Sequence, residues 1–395
     1  MNISEVKKVK TAVIGCGMIS NIYIHNLKNL FTIIDLVAVC DINEEAAKEK
    51  AATYSVDRIM TIDEIAESDE IELVVNLTAP GAHYSVIKRM LEAGKHVYTE
   101  KMFTTDIDQA RELVALADSK GLMIGVSPDT VLGAGIQTAK NIIGCGLVGD
   151  ITSGVVSINR NQNQNSEFYR FLQKNGGAIP YDVGIYYIGA LIALLGSVRS
   201  VKAYGAPALK HEKQMLYINE NPDEWTIPGN NVLVGTIEFE NGALVNVHFD
   251  GNTAGDSKHM LYLFGTKGIL SLGDPNEFNG FVKLNLPEAE ECELPLTHGY
   301  NGKNMTDPFP FEFYGHRGIG AAELAWSIRL GRENRLSKEY GLHCMEVLIG
   351  MDKAAETGET YVMKSHCDVR PLGSGYFSSM FNGGMRADAE RSLME

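Results

Sequence analysis

The sequence lacks several signals that mark whole classes of protein. No stretch reaches about 18 uninterrupted apolar residues, so we expect no membrane-spanning segment. No basic run is longer than Lys7-Lys8 and the formal net charge is −15, which argues against a nucleic-acid partner. No apolar leader segment precedes the first predicted strand, so we expect no secretion signal.

Metal-binding and disulfide patterns are also missing. The ten histidines form no H-x-x-x-H pair, and we expect no metal site. The six cysteines are far apart and show no C-x-x-C spacing, which is typical of reduced thiols in a cytoplasmic protein. They are Cys16, Cys40, Cys145, Cys292, Cys344 and Cys367.

A glycine-rich turn near the amino end carries the strongest functional signal. Residues 12–14 form a short apolar strand, and the next six, GCGMIS, follow the pattern G-x-G-x-x-S before a helical stretch. Gly15 allows a sharp turn, and Gly17 lets the backbone approach a pyrophosphate at a helix N-terminus. A second apolar strand ends in Asp41 about 20 residues on, where ribose hydroxyls would lie. An ordinary glycine turn with Asp41 as a helix cap is the alternative; we favour nucleotide binding.

The first third of the chain alternates strands with helices, which predicts an α/β Rossmann domain over residues 1–127 with a parallel sheet. Ligands bind such sheets at the carboxyl edge, where the turns Asn76–Pro80 and Tyr98–Lys101 lie. The further elements predicted here are a helix over 44–52, strands over 71–76, 96–98 and 122–126, and helices over 81–93 and 105–119.

After residue 127 the pattern changes, and the length of 395 residues already favours two to three domains. Strand-like runs separated from helices predict an α+β domain with a large, mostly antiparallel open sheet over residues 128–372. The polar segment Asn159–Ser166 is interpreted as a solvated lip over the site, and residues 373–395 as a mobile tail. We expect the domains to join near residues 127–130, with the site in the cleft between them.

Three residues are candidates for proton transfer during oxidation of a carbinol. Asp182 and Tyr186 are four apart on a predicted helix and therefore share a face. A phenol can accept a hydroxyl proton if a nearby cation lowers its pKa, and Lys101 at the sheet edge can supply that charge. Asp182 can hold the substrate or orient the other two. The structural alternatives are an N-cap for Asp182, a core aromatic for Tyr186 and a solvated strand end for Lys101.

With both halves considered, the sequence resembles the glucose–fructose oxidoreductase / inositol dehydrogenase / MocA (Gfo/Idh/MocA) family over roughly residues 9–372. The motifs that carry the resemblance are VIGCGMIS (13–20), CDIN (40–43), NLTAPGAH (76–83), AGKHVYTEKM (93–102) and GGAIPYDVGIYY (176–187). Met102 takes the place of the proline in the family's E-K-P, and Tyr186 stands where many members have histidine. His316 and Arg317 are weaker candidates on the substrate side.

The resemblance implies a Rossmann domain paired with an open-sheet domain and oxidation or reduction of sugars, polyols or related compounds with NAD or NADP. It also implies Lys101, Asp182 and Tyr186 as catalytic residues. The cofactor-binding residues predicted from the glycine motif, the sheet edge and the resemblance together are Gly15, Gly17, Met18, Ile19, Asp41, Asn76, Thr78, Pro80, His83, Glu100 and Lys101. For His83 we favour packing beneath the nucleotide or capping its helix over a role in the chemistry.

The leading functional prediction is an NAD-dependent dehydrogenase of a sugar, polyol or glycoside. One alternative is a redox-neutral enzyme that retains NAD and performs elimination or glycoside cleavage through a transient keto intermediate. The other is a non-catalytic NAD-binding regulator, against which the joint presence of Lys101, Asp182 and Tyr186 argues. NAD is predicted over NADP, because Asp41 would repel a 2′-phosphate and Ile42-Asn43-Glu44 offers no cation to neutralise it.

The predicted open sheet also suggests a homo-oligomer, dimer or tetramer. Val245, Val247 and Phe249 alternate along one strand, and we expect them on the sheet face that the helices leave bare. A large apolar face is not tolerated on a monomer, so we expect another subunit to cover it.

Overall fold

The computed structural model describes residues 6–209, 226–298 and 315–373. Apart from Gly373, the predicted mobile tail lies outside the described residues. The described residues form one parallel and one mostly antiparallel β-sheet with helices packed on them, which confirms the predicted fold class.

Sheet A contains six parallel strands in the order β3-β2-β1-β4-β5-β6. Its central strands are apolar and buried. Asp106 caps the last helix of this domain, since its carboxylate accepts bonds from the N–H groups of Asp108 and Gln109. The elements are β1 (Val9–Ile14), α1 (Ser20–Asn29), β2 (Ile34–Cys40), α2 (Glu44–Tyr54), β3 (Arg58–Ile59), α3 (Ile62–Glu67), β4 (Leu73–Asn76), α4 (Pro80–Glu92), β5 (His96–Thr99), α5 (Ile107–Lys120) and β6 (Ile124–Val126).

Among the described residues, sheet B has nine strands in the order β14-β13-β12-β11-β7-β10-β9-β8-β15. All neighbouring pairs are antiparallel except β7 and β10, which run parallel at its centre. The elements are α6 (Ala134–Gly144), β7 (Ile151–Asn159), α7 (Gln162–Phe168), α8 (Ile185–Leu195), β8 (Val198–Pro207), β9 (Asn230–Phe239), β10 (Leu244–Asp250), β11 (Lys258–Gly265), β12 (Ile269–Leu272), β13 (Val282–Asn285), β14 (Cys292–Glu293), α9 (Ile319–Leu330), α10 (Lys338–Thr357) and β15 (Tyr361–Val362).

Helix α8 forms the middle of the core, and every one of its residues is buried. A π-helical turn, Pro180–Gly184, precedes it. A Cβ at Gly184 would lie 2.8 Å from the Phe249 ring, so glycine is what allows this turn to lie directly on sheet B. Tyr187 packs there too, its ring centroid 6.1 Å from that of Phe249.

The predicted bare face of sheet B was assigned to the wrong set of residues. Val245, Val247 and Phe249 are buried, and Phe249 contacts the turn before α8. The alternate residues of the same strand, such as Leu244 at 51% exposed, lie on the open face instead. The prediction that alternate residues of β10 share a face was correct. That alternation does not indicate which of the two faces the helices cover.

The helices of the described ranges include none that is long and apolar enough to span a membrane.

Candidate active site at the edge of sheet A

The glycine turn between β1 and α1 has the geometry that its sequence predicts. Gly15 has φ +105°, and a Cβ there would lie 2.6 Å from the backbone carbon of Leu77. A Cβ on Gly17 would meet no atom of the described residues within 4 Å, so this part of the structure leaves open space in front of the turn. Ser20 replaces the third glycine without crowding, since its hydroxyl donates to the Gly17 carbonyl over 2.6 Å.

This turn fits a nucleotide diphosphate. Helix α1 has no side-chain N-cap bond and no acidic residue in its first turn, so its dipole and N–H groups can act on an anion. The cavity described below is lined by Gly17, Met18 and Ile19. Gly15 lies behind them and shapes the turn.

Asp41 lies beside the glycine turn at the end of β2. Its Oδ2 accepts a 2.6 Å bond from the Cys16 N–H, and its Oδ1 accepts a 2.8 Å bond from the Asn43 N–H. The carboxylate therefore fixes the turn in place while remaining half-buried, with further lone pairs for a ribose.

The edge turns after β4 and β5 are bound to each other through buried side chains. The Asn76 side-chain oxygen accepts from both the N–H and the hydroxyl of Thr78, at 3.2 and 2.7 Å. The two ring nitrogens of His83 lie 2.6 Å from the Met102 carbonyl oxygen and 2.8 Å from that of Thr78. Burial lowers the pKa of His83. Asn76 and His83 thus sit behind the cavity wall, whereas Thr78 and Pro80 line it.

Glu100 is turned inward from the same edge. Its carboxylate accepts bonds from the Tyr23 hydroxyl and, over 3.2 Å, from the Lys101 N–H. It is 6% exposed and lines the cavity.

Lys101 and Asp182 form the central contact of the site. The Lys101 Nζ donates to the Asp182 Oδ1 and to the Asp182 carbonyl oxygen, each over 2.8 Å. The lysine side chain is 17% exposed, so the interpretation as a solvated strand end is wrong. Asp182 lies inside the π-helical turn, whose N-cap position is Ile179, so Asp182 is not an N-cap either.

The other carboxylate oxygen of Asp182 has partners that sequence reasoning missed. It accepts bonds from the Arg160 guanidinium and, over 3.1 Å, from the Gln162 side-chain amide. Burial by itself would raise the pKa of the Asp182 carboxyl, but the positive charges of Lys101 and Arg160 outweigh it and hold that pKa well below its usual range. Both oxygens of the Asp182 carboxylate are thus bound by neighbouring side chains, and one of them holds the Lys101 ammonium.

The missed residues come from the segment predicted as a solvated lip. Asn159–Ser166 instead ends β7 and begins α7, and Gln162 is fully buried. Because β7 and β10 run parallel, their carboxyl ends meet, and the Arg160 N–H bonds the Asp250 carbonyl over 2.9 Å. The pairing of β7 with β10 is what places Arg160 and Gln162 at the site. It joins segments that are far apart in the chain, so the local sequence does not reveal it.

Tyr186 lines the cavity and is the residue of the helix that faces Lys101. The Lys101 Nζ lies 5.5 Å from the Tyr186 ring centroid. Burial raises the pKa of Tyr186, although the charges of Arg317 and Lys101 act in the opposite direction. Lys101 therefore acts on the pKa of Tyr186 in the expected direction, but burial outweighs it. Tyr187, the next residue, is the core aromatic.

These residues enclose a cavity of about 620 Å³ between the two sheets. Lys101, Asp182 and Tyr186 all line it, as do the exposed aromatic residues Phe168 and Phe171 at its mouth. Arg317 and His316, predicted on the substrate side, do not line it and are 1% and 7% exposed. Within the described ranges no three His, Cys, Asp or Glu side chains are grouped so as to hold a metal ion.

We predict that Asp182→Asn lowers the free energy of unfolding by up to about 3–5 kcal/mol near neutral pH, because it removes a buried carboxylate and leaves the partly buried cations Lys101 and Arg160 without their counter-charge. The folded pKa of Asp182 is depressed, so the advantage of the wild type is complete above the ordinary aspartate pKa of about 3.9. It then declines as the pH falls below that value. Urea unfolding from about pH 7 down to about pH 3 measures this.

The matched control is Asp63→Asn, which removes an ion-paired but exposed carboxylate bound to Arg89. Exposed pairs contribute roughly 0–1 kcal/mol, so this variant should unfold nearly as the wild type does. A wild-type advantage over Asp182→Asn that is the same at both ends of the pH range would contradict the assignment.

Comparison with known proteins places this geometry in context. Residues 9–127 match the oxidoreductase family described as an NAD-binding Rossmann fold, and residues 136–271 match the GFO/IDH/MocA C-terminal domain. An uncharacterized oxidoreductase of Schizosaccharomyces pombe is 33% identical over 49% of this chain and 54% of its own length. The chain thus spans about half the length of that relative.

Two further proteins match over nearly their whole lengths. The scyllo-inositol 2-dehydrogenase (NADP(+)) IolW of Bacillus subtilis is 26% identical over 91% of this chain and 97% of its own. The structure of levoglucosan dehydrogenase with NADH and levoglucosan is 17% identical and superposes with a TM-score of 0.77, covering 91% of this chain and all of that one. At that identity the likeness shows the fold. Taken with the two matching domains, these findings show that the chain belongs to the Gfo/Idh/MocA oxidoreductase family and has its NAD-binding Rossmann domain.

Proposed function

We propose that the chain is an NAD-dependent dehydrogenase that transfers a hydride between nicotinamide and a carbinol or carbonyl of a sugar, polyol or glycoside. The observation that carries this proposal is the single cavity shared by the glycine turn and by Lys101, Asp182 and Tyr186. Inositol and levoglucosan, named for the relatives above, are polyhydroxy compounds and are the first substrates to test.

The residues of the site divide the work of such a reaction. NAD would be held at the glycine turn, where Gly17, Met18 and Ile19 line the cavity, and would supply the hydride acceptor for the carbinol carbon. Tyr186 takes the hydroxyl proton, and Lys101 donates a hydrogen bond to the same oxygen as its charge develops. The two bonds to Asp182 hold the Lys101 ammonium at a fixed position, so it does not have to be oriented at the moment of reaction.

Because burial raises the pKa of Tyr186, most of the phenol is protonated near neutral pH. Oxidation of the carbinol should therefore accelerate as the pH rises, until the phenol is ionised. The reverse reaction, in which the phenol donates its proton, should slow over the same range.

Tyr186→Phe should lower kcat by about 10²–10⁴-fold, because it removes the proton acceptor and keeps the ring. NADH binding, followed by fluorescence, should stay nearly unchanged. The matched control is Tyr187→Phe, which alters the adjacent tyrosine packed against Phe249 and should leave kcat close to wild type.

Lys101→Ala should lower kcat by at least as large a factor as Tyr186→Phe, and the two losses should be non-additive.

The assay is a panel of sugars, polyols and glycosides with reduced-nicotinamide absorbance as the readout. A Tyr186→Phe enzyme with near wild-type kcat would show that another group accepts the proton. Substrate conversion without net change in nicotinamide absorbance would favour the redox-neutral alternative over a dehydrogenase.

We also propose that NAD is preferred over NADP by at least about tenfold in kcat/KM, since each bond to a charged acceptor contributes about 1.5–3 kcal/mol. Asp41 supports this preference because its carboxylate lies beside the glycine turn, where it would repel a 2′-phosphate. The next residue, the exposed Ile42, has no charge to neutralise that phosphate. Asp41→Ser should reduce the preference, whereas Asp35→Ser, earlier on the same strand, should not. A wild-type enzyme that works equally well with NADP would refute the proposal.

The open face of sheet B supports a homo-oligomer. Tyr204, Val234 and Met260 lie in one row across sheet B, with His248 and Ser157 between the last two, and are 76%, 39% and 43% exposed. A patch of this kind marks an interaction surface, and a second copy of the sheet is the occupant we propose.

Light scattering at micromolar concentration should therefore give a mass of at least two chains. Tyr204→Glu should lower that mass by placing a charge in the row, whereas Leu147→Glu, an exposed residue between α6 and β7, should not. A wild type that scatters only as a monomer would remove this proposal.

A further inference from the structure

Arg317 is a buried arginine beside the cavity, and Asn276 and Asp129 are among the described residues that hold its guanidinium. Its Nη2 donates to the Asn276 side-chain oxygen over 2.6 Å, and its Nη1 lies 3.4 Å from the Asp129 Oδ1. The arginine is 1% exposed and Asp129 is fully buried. Burying a charged guanidinium costs free energy of folding, so we ask what this arginine does at its position.

The backbone around Arg317 is fixed as firmly as its side chain. The second Asp129 oxygen accepts bonds from the N–H groups of Gly318 and Gly320, at 2.8 and 3.3 Å. The Arg317 carbonyl accepts a 2.9 Å bond from the side-chain amide of Asn26 on α1. The guanidinium therefore has little freedom to move relative to the Rossmann domain.

The guanidinium is fixed directly against Tyr186. Its Cζ lies 5.0 Å from the Tyr186 ring centroid and 5.6 Å from that of Phe278. Lys101 places a second cation 5.5 Å from the same Tyr186 centroid. Cations at these distances interact with an aromatic ring, and they stabilise a phenolate more than a phenol.

We propose that Arg317 is a positioning residue for proton transfer, a second fixed cation that makes the Tyr186 phenolate accessible. This inference rests on the proposed function, because it needs Tyr186 to be the proton acceptor. Arg317 acts through Tyr186 and does not itself line the cavity.

The other charges that act on Tyr186 set the direction of the expected effect. Burial, Glu100 and Asp182 raise the pKa of Tyr186, whereas Arg317 and Lys101 lower it. Asp129 faces Arg317 at 3.4 Å, and the guanidinium charge still lowers the pKa of Tyr186. Removing the guanidinium should therefore raise that pKa further, by about one to three pH units.

Three variants test the inference. Arg317→Met removes the charge, and Arg317→Lys restores a cation without the planar contact. Asn276→Asp keeps Arg317 in place and adds a carboxylate at the oxygen that now lies 2.6 Å from Nη2, so it tests the charge even if Arg317→Met fails to fold. Full-length protein labelled with ¹³C-tyrosine is titrated by NMR, with the Tyr186 signal assigned by its loss in Tyr186→Phe.

We expect Tyr186 to ionise at higher pH in Arg317→Met and Asn276→Asp than in the wild type, or only above the pH at which the chain unfolds. In Arg317→Lys the pH of ionisation should lie between that of Arg317→Met and that of the wild type. Where a panel substrate is turned over, the rising limb of kcat/KM for oxidation should move in the same order, and Tyr186→Phe should abolish it. Unchanged thermal unfolding of Asn276→Asp separates this effect from a loss of structure.

A Tyr186 titration that stays in place in both charge-changing variants would overturn the inference, as would a wild type in which Tyr186 never ionises while folded. If the titration moves but Tyr186→Phe keeps full activity, the inference about Arg317 holds for the phenol and the proposed role of Tyr186 fails.

Discussion

The buried contact between Lys101 and Asp182 is the interaction on which the site and the packing of the two sheets both depend. Lys101 follows the strand β5 of sheet A, and Asp182 lies in the turn that rests on sheet B. Desolvating two charges is expensive unless every oxygen and proton finds a partner. Arg160 and Gln162 supply those partners on the sheet B side. Two of the catalytic candidates, Lys101 and Asp182, therefore also contribute to binding the two sheets to each other.

Behind that contact lies a layer of residues that hold the cavity wall without reaching the cavity. His83 bridges the turns after β4 and β5, and Asn76 holds Thr78. Asp129 does the same for Arg317 on the opposite side. Reactions that depend on fixed charges need such support, because a small displacement of an ammonium or phenol lowers its effect steeply.

The sequence alone was sufficient to predict the Rossmann sheet, because parallel strands are buried on both faces and therefore appear in the sequence as apolar runs. It also indicated Lys101, Asp182 and Tyr186, which the structure brings to one cavity. It did not indicate Arg160, because its role depends on the parallel pairing of β7 with β10, a contact between distant segments. Likewise, the alternation in β10 showed which residues share a face but not which face the helices cover. The spacing of Lys101, Asp182 and Tyr186 could not show whether burial or nearby charge has the larger effect on the pKa of Tyr186.

The same parallel pairing has a consequence for the synthesis of the protein. β7 lies at the centre of sheet B between β10 and β11, and Leu244 of β10 pairs with Ser153 of β7. The Rossmann strands complete their sheet within the first third of the chain, whereas β7 must wait on the ribosome until both of its neighbours have emerged. At about 5–20 residues per second, that wait lasts several seconds, during which both edges of a nine-residue strand are unpaired. Chaperone contact during translation should therefore concentrate on the segment that follows the Rossmann domain.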